Sequence, residues 1–434
     1  MHARTFSHFL FAGILLLFSA EASGAEGDSD RQDANVQTVS RPSVRSAELS
    51  ARTGLRFDNN AFLDRRGQYG ADAVSHLVGL LGVSGTFQTQ FTGWLAFTLD
   101  TNVETEELRI DLDEGSVTNE LRKTTYNLDP VLAFTIHEDL EISLKPSMRI
   151  VRESNHAWSF LQASPSLEFS YVTPFELFAT LNYTFTGKFF DTDEPTNTYG
   201  NVDMKSHRGD LSLRYWPAPR LRARLNAGIE HQEYGKNIGE SLGRIVFLPI
   251  EEFGNPDAAF TPTRRTDRKI DGELEIMVVP FEWGLVAAGY RFEDVSSGFD
   301  TFTYRGHGPR LALAGLYKGH EAYVEGKLTF NDFHDFRFDT RFNDTRKDYS
   351  LDLYAVYGWS IRPWVKVNLI YSFVRNDSND AAYFTYGNSR SYSLYQRSRV
   401  ELALTFRTDF IQEPEVPAPP DIPGTILAEE RRYK

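Results

Sequence analysis

Leu140-Glu141-Ile142-Ser143-Leu144-Lys145-Pro146-Ser147-Met148-Arg149-Ile150 places an apolar residue at every even position and a polar or charged one at every odd position. A β-strand turns successive side chains to opposite faces, so this stretch has one oily face and one wet face. Residues 221–229 repeat the split, with Arg222, Arg224 and Asn226 set against Leu221, Ala223, Leu225, Ala227 and Ile229. Residues 48–57 repeat it again, with Glu48, Ser50, Arg52, Gly54 and Arg56 opposite Leu49, Ala51, Thr53, Leu55 and Phe57. Lipid on one side and water on the other calls for this alternation.

Working outward, the beat continues from Glu48 to Phe410 as about sixteen strands, joined alternately by short turns and long polar connections. Short turns are expected near residues 83–85, 137–139, 173–174, 217–219, 279–281, 318–320 and 361–363. Pro in four of them presets turn geometry and cannot continue a ladder. Long connections are expected over 58–70, 100–123, 153–158, 187–202, 232–267, 293–301, 331–347 and 376–389. The pattern predicts an all-β fold, a transmembrane antiparallel up-and-down β-barrel. In lipid every backbone N–H and C=O must be paired, and a closed barrel achieves this without an edge. Tyr171, Phe175, Trp216, Phe281, Trp283, Tyr317, Trp359 and Trp364 lie beside the short turns, where an aromatic girdle at one membrane interface is expected.

The 434 residues divide into four stretches. Residues 1–25 read as a signal peptide, with an apolar run from Phe9 to Phe18 and cleavage after Ala22 or Ala25. Residues 26–46 form a polar periplasmic lead-in, 47–410 the barrel, and 411–434 a Pro-rich periplasmic tail. Phe406 or Phe410 would then serve as an internal version of the terminal aromatic that barrel-insertion machinery reads. The chain has no Cys, so it has no disulfide, thiol nucleophile or lipid-modified N-terminal Cys. A net charge of −14 argues against nucleic acid as a partner. The expected partners are outer-membrane lipid and the insertion machinery.

No catalytic constellation of weight is present. His137-Glu138 lacks the second His of a helical zinc motif, and no G-x-S-x-G, P-loop or Rossmann fingerprint occurs. No cofactor or metal is expected, and the chain is not expected to be an enzyme. The lumen-facing charges are the more suggestive feature. Arg208, Arg214, Arg222 and Arg224 on adjacent strands would form a basic patch. Barrel closure would add Arg397 and Arg399 to Arg52 and Arg56, and Lys269, Asp271, Glu273 and Glu275 would supply an acidic counterpart. Charges lining a pore set ion preference, whereas cross-strand Arg–carboxylate pairs would only stiffen the wall. The connection 232–267 carries an apolar island from Ile245 to Ile250, expected to narrow the barrel mouth or to extend a strand pair.

The stretch Gly54-Leu55-Arg56-Phe57-Asp58-Asn59-Asn60-Ala61-Phe62 resembles the "(Y/F)-D-(D/N)-N" opening of the β-barrel porin 2 type proteins, with Phe57 in the Tyr position. That family consists of outer-membrane barrels, many encoded near exopolysaccharide-export systems. The resemblance implies a pore or export role, with polysaccharide-export components as partners. Read physically, Asp58-Asn59-Asn60 makes a polar turn leaving the first strand. The leading expectation is an outer-membrane channel for hydrophilic solutes. A plugged barrel that displays outer loops is the alternative, and a membrane-embedded hydrolase built from scattered Ser and His residues is a third.

Overall fold

The computed structural model describes residues 43–59, 75–111, 117–118, 122–153, 159–173, 175, 177–190, 203–234, 265–298, 303–333, 345–378 and 395–412. These residues form β1 (Ser43–Asn59), β2 (Ser75–Thr92), β3 (Leu95–Asp111), β4 (Val117–Thr118), β5 (Lys123–His137), β6 (Leu140–Glu153), β7 (Phe160–Val172), β8 (Leu177–Phe190) and β9 (Met204–Ala218). Then follow β10 (Leu221–Tyr234), β11 (Thr266–Phe281), β12 (Gly284–Ser297), β13 (Tyr304–Tyr317), β14 (His320–Asp332), β15 (Lys347–Arg362), β16 (Val365–Ser378) and β17 (Tyr395–Gln412). Every strand pairs antiparallel with its sequence neighbour, apart from the two-residue β4, which rests on the end of β3 while β5 takes the next place in the ring. β17 returns to pair with β1, from Ser46 opposite Gln412 to Asn59 opposite Ser398. The result is a closed up-and-down β-barrel of sixteen strands.

The alternation read from the sequence decides which face is which. Leu55, Leu181, Leu274, Leu311 and Leu402 stand exposed on the outside. Their strand neighbours Arg56, Asn182, Glu273, Arg310 and Glu401 point inward, where they bond one another or line a cavity. A contiguous apolar exterior of this extent is untenable in water, at roughly 25 cal/mol per Å² exposed, and is what a bilayer solvates. Among the described residues, no helix is long and apolar enough to cross a membrane. Inside, Met277, Leu285, Ala287 and Ala312 make a small apolar cluster on β11–β13, near the short-turn end.

Two parts of the expected layout are corrected. The turn placed at 83–85 lies instead at Gly93 and Trp94, between β2 and β3, and Gly82 and Gly85 are ordinary strand positions opposite Arg52 and Leu49. The acid-rich stretch from Asp100 to Glu106, expected in a long connection, belongs to β3. Its acids alternate, so Asp100, Glu104 and Glu106 share the inward face, while Leu99 and Val103 face outward. The sheet also runs a little further than expected at both ends, from Ser43 to Gln412 rather than 47 to 410. The signal peptide, the lead-in, the tail beyond Gln412 and the island at 245–250 lie outside the described residues.

The girdle largely stands where it was expected. Tyr171, Phe175, Phe281, Trp283, Tyr317, Trp359 and Trp364 are exposed at the short-turn end, and Trp94 joins them. Phe281 stacks on Trp283 at 5.0 Å, and Trp359 stacks on His320 at 5.9 Å. Trp216 is the exception: it shares the inward face with Arg214 and packs edge-on against Phe178 at 4.9 Å. Tyr215 takes the outward position beside it.

Hairpin geometry is enforced by few residues. Lys318 and Gly319 have φ of 49° and 79°, the left-handed pair that a tight two-residue hairpin turn needs between β13 and β14. Further along the same hairpin, a Cβ built at Gly308 would run into the Leu328 backbone carbonyl. Gly308→Val is therefore expected to prise β13 from β14 and to cost about 1–3 kcal/mol through overpacking. Urea-unfolding midpoints of refolded protein in micelles measure this. Gly272→Ala, whose nearest non-neighbouring atom is the Asn226 carbonyl oxygen at 3.6 Å, should leave the midpoint unchanged.

Candidate functional site

The inward faces of β7 to β15 enclose a cavity of about 820 Å³. Six cationic side chains (Arg214, Arg222, Arg224, Arg291, Arg310 and Lys327) and five acidic ones (Glu168, Asp210, Glu273, Glu293 and Asp352) line it. The two sets are nearly equal in number, so the field inside depends on which charges are already neutralised.

The acids are. Glu168 accepts from Lys145 at 2.7 Å, Asp210 from Arg208 at 2.6 Å, and Glu273 from Arg310 at 3.2 Å. Glu293 holds both Lys269 at 2.7 Å and Arg291 at 2.6 Å. Asp352 stands opposite Lys327 in the β14–β15 register.

The cations divide into two groups. Arg208 reaches Asp210, Glu230 and Asp271 and is a strut joining β9, β10 and β11. Arg222 is 8% exposed and lies 3.6 Å from Glu275, which makes it a strut as well. Arg214 and Arg224 differ. They face each other directly in the β9–β10 register, Arg224 stands opposite Glu275 in the β10–β11 register, and Arg224 Nε donates to the amide oxygen of Asn226 at 3.2 Å. Like charges directly opposite on adjacent strands are unfavourable in themselves. Of the expected patch of four arginines, Arg214, Arg222 and Arg224 line the cavity and Arg208 does not.

Arg310 was not among the residues singled out from sequence, yet it is the hub of this wall. Its guanidinium donates to Glu273 at 3.2 Å, Glu275 at 2.7 Å and Glu325 at 3.0 Å, tying together β11, β13 and β14. The expected acidic counterpart, Lys269 with Asp271, Glu273 and Glu275, is therefore a set of wall anchors held by Arg208, Arg222 and Arg310.

The second expected cluster lies at the seam where β1 meets β17. Arg56 forks onto Glu106 at 2.9 and 3.2 Å, and Arg52 bonds Glu401 with Glu104 at 3.5 Å. Asp58 is 1% exposed and accepts from Arg397 at 2.8 and 3.0 Å and from Arg399 at 2.8 Å. Asn59 Oδ1 accepts the Ser398 backbone N–H at 2.5 Å. Asp58 and Asn59 are thus strand residues clasping the last strand, not a turn leaving the first. Arg52, Arg56, Arg397 and Arg399 are brought together as predicted, but each is bonded to a carboxylate.

His137, Glu138 and Asp139 bring three ligand-type atoms within 4.8 Å of one another. They occupy the β5–β6 turn, and His137 and Glu138 are exposed. The segment is a turn, as its sequence indicates.

No family model and no curated protein matches this chain. Among solved structures it is similar to OccAB1 of Acinetobacter baumannii, at 8% identity and TM-score 0.47, covering 84% of this chain and 97% of that one. OccAB3 of the same organism is similar at 12% identity and TM-score 0.45, covering 84% and 99%. OmpT of Vibrio cholerae, an outer membrane protein, is similar at 10% identity and TM-score 0.44, covering 85% and 100%.

Proposed function

We propose that this chain is an outer-membrane channel for hydrophilic solutes, with a lumen that favours anions. The observation that carries the reading is a closed sixteen-strand ring, apolar outside, enclosing a charged cavity of about 820 Å³. Rings of this size leave room for an aqueous channel. Bilayers of the outer membrane type are crossed by barrels of this architecture, with short turns on one side and longer connections on the other. The chain would reach that membrane by signal-peptide export and the barrel-insertion machinery. This reading gives it no chemical step.

Anion preference follows from the local charge balance. Arg214 and Arg224 bring two cations to one level of the cavity wall, opposite each other across β9 and β10. In a narrow water-filled path bounded by low-dielectric walls, the nearest charges set the potential, and charges beyond about 8–10 Å are screened at physiological salt. The overall charge of −14 is then a poor guide to the lumen. The resemblance of residues 54–62 to the β-barrel porin 2 type proteins extends the proposal to exopolysaccharide export, in which an acidic polymer would be the anionic cargo.

Planar-bilayer recording tests the reading. Stable single-channel steps are expected, with a reversal potential under a salt gradient that reports anion preference. Arg224→Glu should move that potential toward cation preference, because it replaces a wall cation with an anion. Complete absence of steps from folded protein would leave the plugged barrel standing instead. An unmoved reversal potential in Arg224→Glu would remove the arginine pair from the selectivity path.

A further inference from the structure

The outer face of the barrel is apolar for most of its height, but one row of it carries two histidines and an arginine. His207 on β9 stands opposite His231 on β10, and His231 stands opposite Arg268 on β11. All three are exposed and share the outward parity of Leu211, Ile229 and Ile270, whereas their neighbours Ser206, Arg208 and Asp267 face inward. Neighbouring strands lie about 4.8 Å apart, so the row spans roughly 10 Å along the barrel surface. One outward position toward the membrane centre, Gly209, Ile229 and Ile270 are register partners, with Ile229 and Ile270 48% and 43% exposed. One outward position toward the long connections, Lys205 stands opposite Glu233. The row therefore sits where the lipid band ends, at the long-connection side of the barrel.

Its members are organised rather than scattered. His207 Nδ1 shares a hydrogen bond of 2.7 Å with the Tyr183 hydroxyl, and its ring packs on Phe185 at 5.2 Å. The remaining ring nitrogen, Nε2, is the atom a ligand would meet. His231 Nε2 lies 3.4 Å from Glu233. Arg268 is flanked in register by His231 and Ser296, neither of them an acid. A cation at the edge of hydrocarbon is costly unless an anion in the headgroup layer matches it, and a guanidinium fork suits a phosphate in particular.

We propose that Lys205, His207, His231 and Arg268 bind the phosphate of a phosphorylated lipid in the leaflet on the long-connection side, with its acyl chains lying on Ile229 and Ile270. Arg268 supplies the fork, Lys205 a second fixed charge, and the His207 and His231 rings donate from positions set by Tyr183 and Glu233. Tyr183 adds an amphipathic ring at the same level. The outer-membrane reading enters only through the identity of the lipid, a phosphorylated glycolipid. Phosphate recognition rests on the row itself.

Native mass spectrometry of the purified barrel in detergent tests the proposal, with bis-phosphorylated lipid A, its dephosphorylated form and inorganic phosphate as probes. Wild type should retain lipid A, and the triple variant His207→Gln, His231→Gln and Arg268→Gln should retain at least tenfold less. Dephosphorylated lipid A should be held as weakly by wild type as lipid A is by the variant. Inorganic phosphate at the same concentration should fail to displace lipid A, because it lacks the acyl contact. Equal retention by wild type and variant, equal retention of the two lipids, or displacement by inorganic phosphate would each overturn the proposal. Should the triple variant fold poorly, Lys205→Gln with Arg268→Gln is the second test, with the same expectation. Conductance and reversal potential of either variant should match wild type, since the row faces away from the lumen, so a failed lipid result leaves the channel reading untouched.

Discussion

Replacing Arg310 by Met is expected to lower the stability of the barrel by about 3–5 kcal/mol, the range seen when one partner of a buried ion pair is removed. The reason is the company Arg310 keeps. It holds Glu273, Glu275 and Glu325 at once, and Glu275 and Glu325 have side chains only 5% and 10% exposed. Without the guanidinium, Glu275 keeps Arg222 at 3.6 Å and Glu325 keeps Lys327, but Glu273 loses its cation. The neighbouring apolar cluster of Met277, Leu285, Ala287 and Ala312 lowers the local dielectric, which strengthens the repulsion among the acids. Arg310→Lys should recover part of the loss, because it restores a charge but not the fork that spans three carboxylates. Met at 310 combined with Glu273→Gln and Glu275→Gln should recover more than Met alone. Urea-unfolding midpoints rank the four proteins. A midpoint for Arg310→Met within error of wild type would mean that the hub is solvated and contributes little.

The sequence made the barrel legible because lipid imposes a period of two on every strand, and that period survives without knowledge of any partner. Single residues could mislead within it. Gly85 looks like a turn, but a glycine in a strand is tolerated when both neighbouring strands carry side chains that cover it, and Leu49 and Thr101 lie 3.8 and 3.7 Å from its Cβ position. Asp100, Glu104 and Glu106 look like a loop by charge, although their spacing is that of a strand facing water. The purpose of Glu104 and Glu106 becomes visible only once β1 lies nearby and Arg52 and Arg56 reach them across β2, whereas Asp100 accepts from Thr86 on β2 at 2.7 Å.

The site was less legible for the same reason. Charge spacing shows which residues face the lumen but not which of them meet. Arg310 acts on acids one and two strands away, so nothing near it in sequence announces a hub. Its signal was parity alone: Gly306, Gly308 and Arg310 share an inward face, and of these three only the arginine has a side chain. Arg208 and Arg214 look alike on β9, yet one is enclosed by Asp210, Glu230 and Asp271 and the other faces Arg224. That distinction depends on register, which strand patterning alone does not supply.

Asp58→Ala should weaken the closure of the barrel rather than its lumen. Asp58 is almost wholly enclosed and receives three hydrogen bonds from Arg397 and Arg399, two strand neighbours on the same face of β17. Removing the carboxylate leaves these two arginines side by side at the seam, near Arg56, with no anion between them. The expected cost is again about 3–5 kcal/mol. It should fall on one pairing in particular, because every other strand is tied to its predecessor through a covalent connection, whereas β1 and β17 meet only through hydrogen bonds and side chains. Hydrogen exchange is therefore expected to rise first in residues 55–59 and 397–402, with the β9–β14 wall unchanged. Asp58→Asn keeps the shape and an acceptor but not the charge, so it should fall between wild type and Ala. Asp58→Ala combined with Arg399→Gln should be more stable than Asp58→Ala alone, because it removes one of the two stranded charges. If exchange instead rises evenly around the ring, closure is shared among all the strand pairs and Asp58 is not its latch.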